Sequence, residues 1–265
     1  MFTYKKALCR HVPKSLVTEA LRMENSLEPI DYENALREHK QYIETLGQLG
    51  LQIVLLDADE ELPDCVFVED PAIVCGDKAL VTNPGHTNRK KETIAIKTAL
   101  EKLVSEVVCM ENPAEMDGGD VLFTGKEFFV GLSTRTNQDG ADVLRSAFPL
   151  FPVHTIRVID ATLHLKSMLS LASDDVIAYG PSKAASEAVQ EMKEKAKFGY
   201  NFLKVSTDAA ANCLWINGTL IHRSSMEFPQ ITEDFASLDC PKIQLTNTEL
   251  SKVDGALTCC SLLIN

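Results

Sequence analysis

The feature that most constrains this chain is a recurring order of elements, two strands, a helix and a strand, which returns at the spacing of roughly 40 to 50 residues typical of repeat arrays. Residues 73–81 read as a hairpin whose apolar arms meet at Gly76-Asp77. Residues 93–103 then show helical spacing at Ile96, Ala99, Leu100 and Leu103, and 107–109 form a short apolar strand. The order returns with a hairpin over 120–131 about Thr124-Gly125-Lys126, a helix over 141–148 and a strand over 155–159. It returns again with a hairpin over 167–179 turning at Ser173-Asp174-Asp175, a helix over 182–197 with Ala185, Ala188, Val189 and Met192 on one face, and a strand over 202–205. Residues 212–222 turn at Asn217-Gly218, the strongest short hairpin signal. A helix over 233–238 and a strand over 243–246 follow.

One unit is divided between the two ends of the sequence. Its helix spans 31–46, with Tyr32, Ala35, Leu36, His39, Ile43 and Leu46 on one side, and its third strand spans 52–56. The two missing strands are 4–9 and 258–264. Pairing between them closes the set into a ring and removes exposed sheet edges. The expectation is an α/β fold of five ββαβ units about a pseudo-fivefold axis, in one domain over 1–265. An open α/β sheet is the alternative, but it wants strict alternation of strand and helix rather than a hairpin before each helix. No low-complexity linker divides the chain. Residues 10–29, with Pro13 and Pro29 near the edges, read as an irregular loop that serves either as a lid or as an exposed connection.

Composition excludes several classes. With 45% hydrophobic and 24% charged residues in 265, the chain is an ordinary globular protein. No apolar run approaches the roughly 20 residues needed to span a bilayer. The first residues lack the apolar core of a signal peptide, so the expected compartment is the cytoplasm. The eight cysteines therefore read as reduced thiols. They contain no CxxC pair, and neighbours Cys259 and Cys260 on a strand point to opposite faces, which argues against a structural zinc cluster. A net charge of −12 argues against nucleic acid or an anionic membrane as partner and is compatible with a small cationic substrate.

The residues that carry chemistry sit where strands end. Cys259, after the Asp254-Gly255 turn, is read alone a small buried hydrophobe, and with a base nearby a nucleophile. His164 follows one strand and precedes the next hairpin, and an imidazole titrating near neutrality supplies both acid and base. Asp117, in Asp117-Gly118-Gly119-Asp120, either belongs to a tight turn or holds that imidazole in one tautomer. Asp64, Glu69 and Asp70 flank an apolar core of Val66, Phe67 and Val68 read as a strand. They are solvated surface acids or, together, a site for a planar guanidinium fork. Arg89 and Arg135 follow hairpins at the same position of successive units, where they are surface charges or a carboxylate clamp.

Six stretches, in order along essentially the whole chain, resemble the dimethylarginine dimethylaminohydrolase family of the guanidino-group-modifying, or pentein, superfamily. They are Leu62-Pro63-Asp64-Cys65-Val66-Phe67-Val68-Glu69-Asp70, Asp117-Gly118-Gly119-Asp120-Val121-Leu122-Phe123-Thr124-Gly125, Arg135-Thr136-Asn137-Gln138, Leu163-His164-Leu165-Lys166-Ser167, Ala210-Ala211-Asn212-Cys213 and Leu257-Thr258-Cys259-Cys260-Ser261. The resemblance implies a five-bladed α/β propeller that hydrolyses Nω-methylated arginines, asymmetric dimethylarginine and monomethylarginine, to citrulline and dimethylamine or methylamine. Carried over by position, Cys259 is the nucleophile that forms a covalent thiouronium, His164 the acid and base, and Asp117 its orienting partner. Asp64, Glu69 and Asp70 bind substrate, Arg89 and Arg135 clamp its carboxylate, and the backbone carbonyls of Leu21 and Val253 meet its amino group. Cys260 is a neighbour without a catalytic role. The chain is short around Asn217-Gly218 and carries no basic tail after Ile264, and neither departure touches a motif residue.

This chemistry calls for no cofactor. Zinc favours thiolate and imidazole, so Cys259 with His164 is a pair at which it would block the nucleophile; two ligands fall short of the four of a structural site. The implied partner is a small methylated arginine, and the sequence leaves monomer and homodimer both open. The rivals are a deiminase or amidinotransferase acting on free arginine, and a silent propeller used for binding.

Overall fold

The structure is a computed structural model that describes residues 3–23, 28–160 and 162–265. The chain runs β1 (Lys6–Arg10), α1 (Leu16–Glu19), α2 (Tyr32–Gln48) and β2 (Gln52–Leu56), followed by four units of one pattern. The first unit is β3 (Ala72–Cys75), β4 (Lys78–Val81), α3 (Glu92–Leu100) and β5 (Glu106–Cys109). The second is β6 (Val121–Phe123), β7 (Phe128–Leu132), α4 (Gln138–Ala147) and β8 (Val153–Arg157). The third is β9 (Leu169–Leu171), β10 (Val176–Tyr179), α5 (Lys183–Lys195) and β11 (Asn201–Lys204). A short α6 (Asp208–Ala211) leads into the fourth, β12 (Leu214–Ile216), β13 (Thr219–Arg223), α7 (Ile231–Asp234) and β14 (Lys242–Leu245), and β15 (Leu262–Ile264) comes last.

These strands make five sheets of three. In each of the four units the first strand pairs antiparallel with the second across a tight turn, and the second pairs parallel with the third across the helix. In the remaining sheet β15 takes the first place, antiparallel to β1, and β1 runs parallel to β2. The turns are set by residues that accept a left-handed backbone. Asn217 and Gly218 have φ of 49° and 87°, the geometry a two-residue hairpin requires, and Gly76 and Gly125 also lie at positive φ. Side-chain caps start the longer helices: Asp31 accepts from the backbone N–H of Asn34, Asn137 from that of Gly140, and Ser182 from that of Ala185.

The middle strands are covered on both faces. All five residues of β13 are buried, as are Phe128, Phe129 and Val130 of β7 and Ala79, Leu80 and Val81 of β4. At about 1.5–3 kcal/mol for each large apolar side chain removed from water, these strands anchor their sheets. The parallel strands β1, β2, β4, β5, β7, β8, β10, β11, β13 and β14 hand the chain to loops at their carboxyl ends. Ligand-binding crevices of α/β sheets form at such ends.

Three expectations change. Val66, Phe67 and Val68 are not a strand but consecutive turns, with Phe67 N–H donating to the Asp64 carbonyl and Val68 N–H to that of Val66. All three side chains are buried, so the apolar run marked core rather than extended backbone. The final strand does not begin at Thr258: residues Thr258–Cys260 form a 3-10 turn, and β15 starts at Leu262. Cys259 and Cys260 thus do not alternate across a strand, because side chains from distant loops pin the turn, as described below. Within the loop at 10–29, residues Leu16–Glu19 form the one-turn helix α1, and 24–27 lie outside the described residues. No helix among the described residues is long and apolar enough to cross a membrane.

Candidate active site

A cavity of about 120 Å³ collects residues from six separate loops. Its walls include Leu21 from the loop before α2, Asp64 and Asp70 from the loop after β2, Arg89 after β4, Arg135 after β7, His164 after β8, and Val253 and Cys259 after β14. All but two of the sequence-predicted site residues line it. Asp117 lies directly behind the wall, wholly buried, and Glu69 lines an adjoining cavity of about 140 Å³ instead.

Asp117 holds the imidazole. Its Oδ2 is 3.0 Å from His164 Nε2, and its Oδ1 accepts from the Gly85 backbone N–H at 3.0 Å. Burial opposes an imidazolium here, but the carboxylates of Asp70, Asp117 and Asp120 outweigh it and raise the His164 pKa to about 9. His164 is therefore protonated at neutral pH and able to give a proton. Gly119 makes room for the ring, since a Cβ there would sit 2.5 Å from His164 Nδ1 and 2.9 Å from Asp70 Oδ1. Gly119→Ala is expected to push the imidazole off Asp117 and lower turnover by about 10²-fold, the scale of a 1 Å misplacement. Steady-state kinetics of the folded variant check this, and undiminished turnover would refute it.

Cys259 sits in the 3-10 turn ahead of β15, which two side chains pin. Thr258 Oγ1 donates to Glu69 Oε2 at 2.9 Å, and Asn212 bridges the turn by donating to Thr258 Oγ1 and accepting from the Thr258 N–H. The Glu69 N–H donates to the Cys259 carbonyl at 3.2 Å. Glu69 also pairs with Lys166, two residues beyond His164. The loops of acid, imidazole and thiol thus meet in one polar layer beneath the cavity. Burial, with the Glu69 and Asp70 carboxylates adding to it, pushes the Cys259 thiol well above its usual range, so it stays protonated at neutral pH.

The two arginines behave differently. Arg89 is 5% exposed, pairs with Asp70 and Glu92, and donates to the carbonyls of Phe67 and Asp64. Burial alone would weaken its charge, but Glu92 and Asp70 more than offset it and hold the guanidinium permanently protonated. Of its five N–H groups one, on Nη1, is left over from these bonds. Arg135 is more available, with Asp117 Oδ2 at 3.6 Å and its side chain partly exposed. Asp64 accepts from the Leu21 N–H at 3.2 Å, which ties the loop before α2 to the cavity rim, and burial raises its pKa despite Arg89.

Sequence reasoning passed over several residues here. His86 lines the cavity near Arg135 and Asp64, with Nδ1 accepting the Asn88 N–H. Glu92 joins the site locally, through Arg89 three residues before it. Lys166, Thr258 and Asn212 instead pair with each other and with Glu69 across long stretches of chain, and the motifs containing them were the sole signal for them. Asp70, Asp117 and His164 offer ligand atoms within 4.8 Å of one another, the one group among the described residues able to hold a metal ion. Arg89 and the N–H groups of Gly119 and Gly85 already engage its carboxylates.

Fold and cavity together define an α/β protein of five three-stranded sheets with a thiol, a carboxylate-held imidazole and further acids converging on one pocket. A family model described as N,N dimethylarginine dimethylhydrolase, eukaryotic, matches residues 18–222. The chain is 35% identical to DDAH2 of Bos taurus, over 98% of this chain and 94% of that one. It is 31% identical to the N(G),N(G)-dimethylarginine dimethylaminohydrolase of Pseudomonas aeruginosa, over 98% and 99%. A solved structure of a cysteine-to-serine mutant of that bacterial enzyme, complexed with citrulline, superposes with a TM-score of 0.88 at 29% identity, covering 99% of this chain and all of that one. The chain belongs to the dimethylarginine dimethylaminohydrolase family.

Proposed function

We propose that the protein hydrolyses Nω-methylated arginines to citrulline and methylamine or dimethylamine through a covalent adduct on Cys259. The observation that carries this reading is the meeting, in one acid-walled cavity, of Cys259 with a His164 imidazole held by buried Asp117. The citrulline bound to the Pseudomonas relative fits the same product.

The substrate guanidinium lies against Asp64 and Asp70, whose carboxylates match its charge and planar fork. Arg135 takes the α-carboxylate, and the backbone at Leu21 and Val253 the amino group. A cation beside Cys259 counters the carboxylates that hold the thiol protonated, so substrate binding itself favours thiolate. The sulfur attacks the guanidinium carbon. The His164 imidazolium protonates the departing amine, leaving an S-alkylthiouronium, and neutral His164 then takes a proton from the water that releases citrulline. Glu69 acts from below by fixing the turn that carries Cys259.

The five sheets are proposed to stand as blades about one axis, in a single domain. In support, the first strands β3, β6, β9, β12 and β15, one from every sheet, line the same 140 Å³ cavity. A cytoplasmic location fits eight unpaired cysteines.

The test is citrulline release from asymmetric dimethylarginine, with free arginine in parallel. Turnover of the methylated compound alone supports the proposal; turnover of arginine instead moves the chain to deiminase chemistry, and turnover of neither leaves a binding protein. A second check is alkylation of Cys259 in the empty site, followed by mass mapping. The rate is expected to be slow at neutral pH and to climb without a plateau through pH 9, and a plateau near pH 7 would contradict the protonated thiol.

A further inference from the structure

The Asp117-Gly118-Gly119-Asp120 turn places one carboxylate on His164, and its second carboxylate has no part in the reaction above. Asp120 is 0% exposed and accepts three hydrogen bonds. Ser133 Oγ donates to its Oδ2 at 2.6 Å, Thr136 Oγ1 to the same oxygen at 2.7 Å, and the Leu165 N–H to Oδ1 at 2.9 Å. Each donor adjoins a residue of the site. Ser133 Oγ accepts the backbone N–H of Arg135 at 2.9 Å, Thr136 Oγ1 accepts that of Asp117 at 3.1 Å, and Leu165 directly follows His164. The space is reserved for this group, because a Cβ at Gly131 would come within 2.7 Å of Asp120 Oδ1.

We propose that Asp120 is a positioning residue that sets the substrate clamp at Arg135 in register with the His164–Asp117 pair, an inference that rests on the function proposed above. A carboxylate suits the place because every donor facing it is an O–H or N–H. An amide would turn an NH2 towards donors and leave at least one of them unmatched. Burial lifts the Asp120 pKa to about 6, still below neutrality, so the acceptor is ionised under working conditions. Its charge also favours the His164 imidazolium.

The two arms of the carboxylate separate in kinetics. Asp120→Asn loosens both loops and is expected to lower kcat by about 10²-fold and raise KM by about 10-fold. The single change Ser133→Ala removes the link to the Arg135 N–H and leaves those at Asp117 and Leu165 in place, and is expected to raise KM by about 10-fold with kcat within about 3-fold of the parent. Active sites are counted by stoichiometric alkylation of Cys259. A merely structural Asp120 would reduce the number of active sites while the remainder kept parental kcat and KM, and that result overturns the proposal. If Asp120→Asn does not fold, Ser133→Ala decides, and an unchanged KM overturns it. The imidazole nitrogen resonances of His164 give a readout independent of turnover. They are expected to shift in Asp120→Asn, and unshifted resonances overturn the proposal even if the parent protein turns over no guanidine, an outcome that would sink the proposed function separately.

Discussion

Exchanging the sulfur of Cys259 for oxygen is expected to abolish citrulline release, by on the order of 10³-fold or more, in a protein that folds as before. The fold survives because the turn is held by Thr258, Asn212 and the Glu69 N–H rather than by the thiol. Chemistry does not, because serine needs a strong base. His164 is already protonated at neutral pH, and its Nε2 is committed to Asp117. The Glu69 and Asp70 carboxylates that oppose a thiolate oppose an alkoxide still more. Cys260→Ser is the control: that thiol is buried against the Ala256 carbonyl outside the cavity, and turnover should persist. Citrulline assays on both variants, with circular dichroism to verify folding, decide the matter. Activity of Cys259→Ser within tenfold of the parent would remove Cys259 from the role of nucleophile.

Arg89→Ala is expected to be the most destabilising single change in the site, costing about 3–5 kcal/mol. It strips the cation from Asp70 and Glu92, each only 2% exposed, and leaves two buried carboxylates facing each other's field. Urea denaturation reads the loss. The pH dependence identifies its cause. Burial tends to raise the Asp70 pKa, but Arg89 outweighs it and holds it below the ordinary value. The stability from this pair is therefore present above the unfolded carboxyl pKa of about 3.9 and lost as pH falls through the depressed folded value. Burial outweighs Arg89 at Glu92 and raises its pKa to about 7. The gap between parent and variant should therefore begin to narrow as pH falls through 7 and narrow further below about pH 4, where Asp70 follows. Arg135→Ala should do the opposite, raising KM with little loss of stability, since among the described residues its one ion pair is with Asp117 at 3.6 Å. A gap that does not change with pH would refute the account of Arg89 as a buried counter-ion.

The arginines illustrate what could be read in the sequence. Their matching places after successive hairpins were visible, because Gly76, Gly125 and Asn217-Gly218 fix where each turn falls by local chemistry alone. That Arg89 would be buried against Asp70 as well as Glu92, one turn on, was not visible, since it depends on how two loops pack. The same holds for Val66 to Val68, where burial on all sides imitated a strand. It holds again for Thr258, whose partners Glu69 and Asn212 come from distant loops. Asp117 and His164 were legible as types suited to acid and base work. Asp120, three residues from Asp117, was legible only as turn chemistry, because its three donors arrive from elsewhere in the chain.

The seam between β1 and β15 has a consequence in time. Every other sheet is made from one continuous stretch and can form as soon as that stretch leaves the ribosome. The sheet that holds β15 is made in two instalments, and its later portion follows directly after Cys259. Synthesis runs from the amino end, and early units fold first. The Cys259 sulfur is therefore seated only once the loops bearing Asp117, Arg135 and His164 have been made, so a nascent chain does not yet hold that thiol beside them.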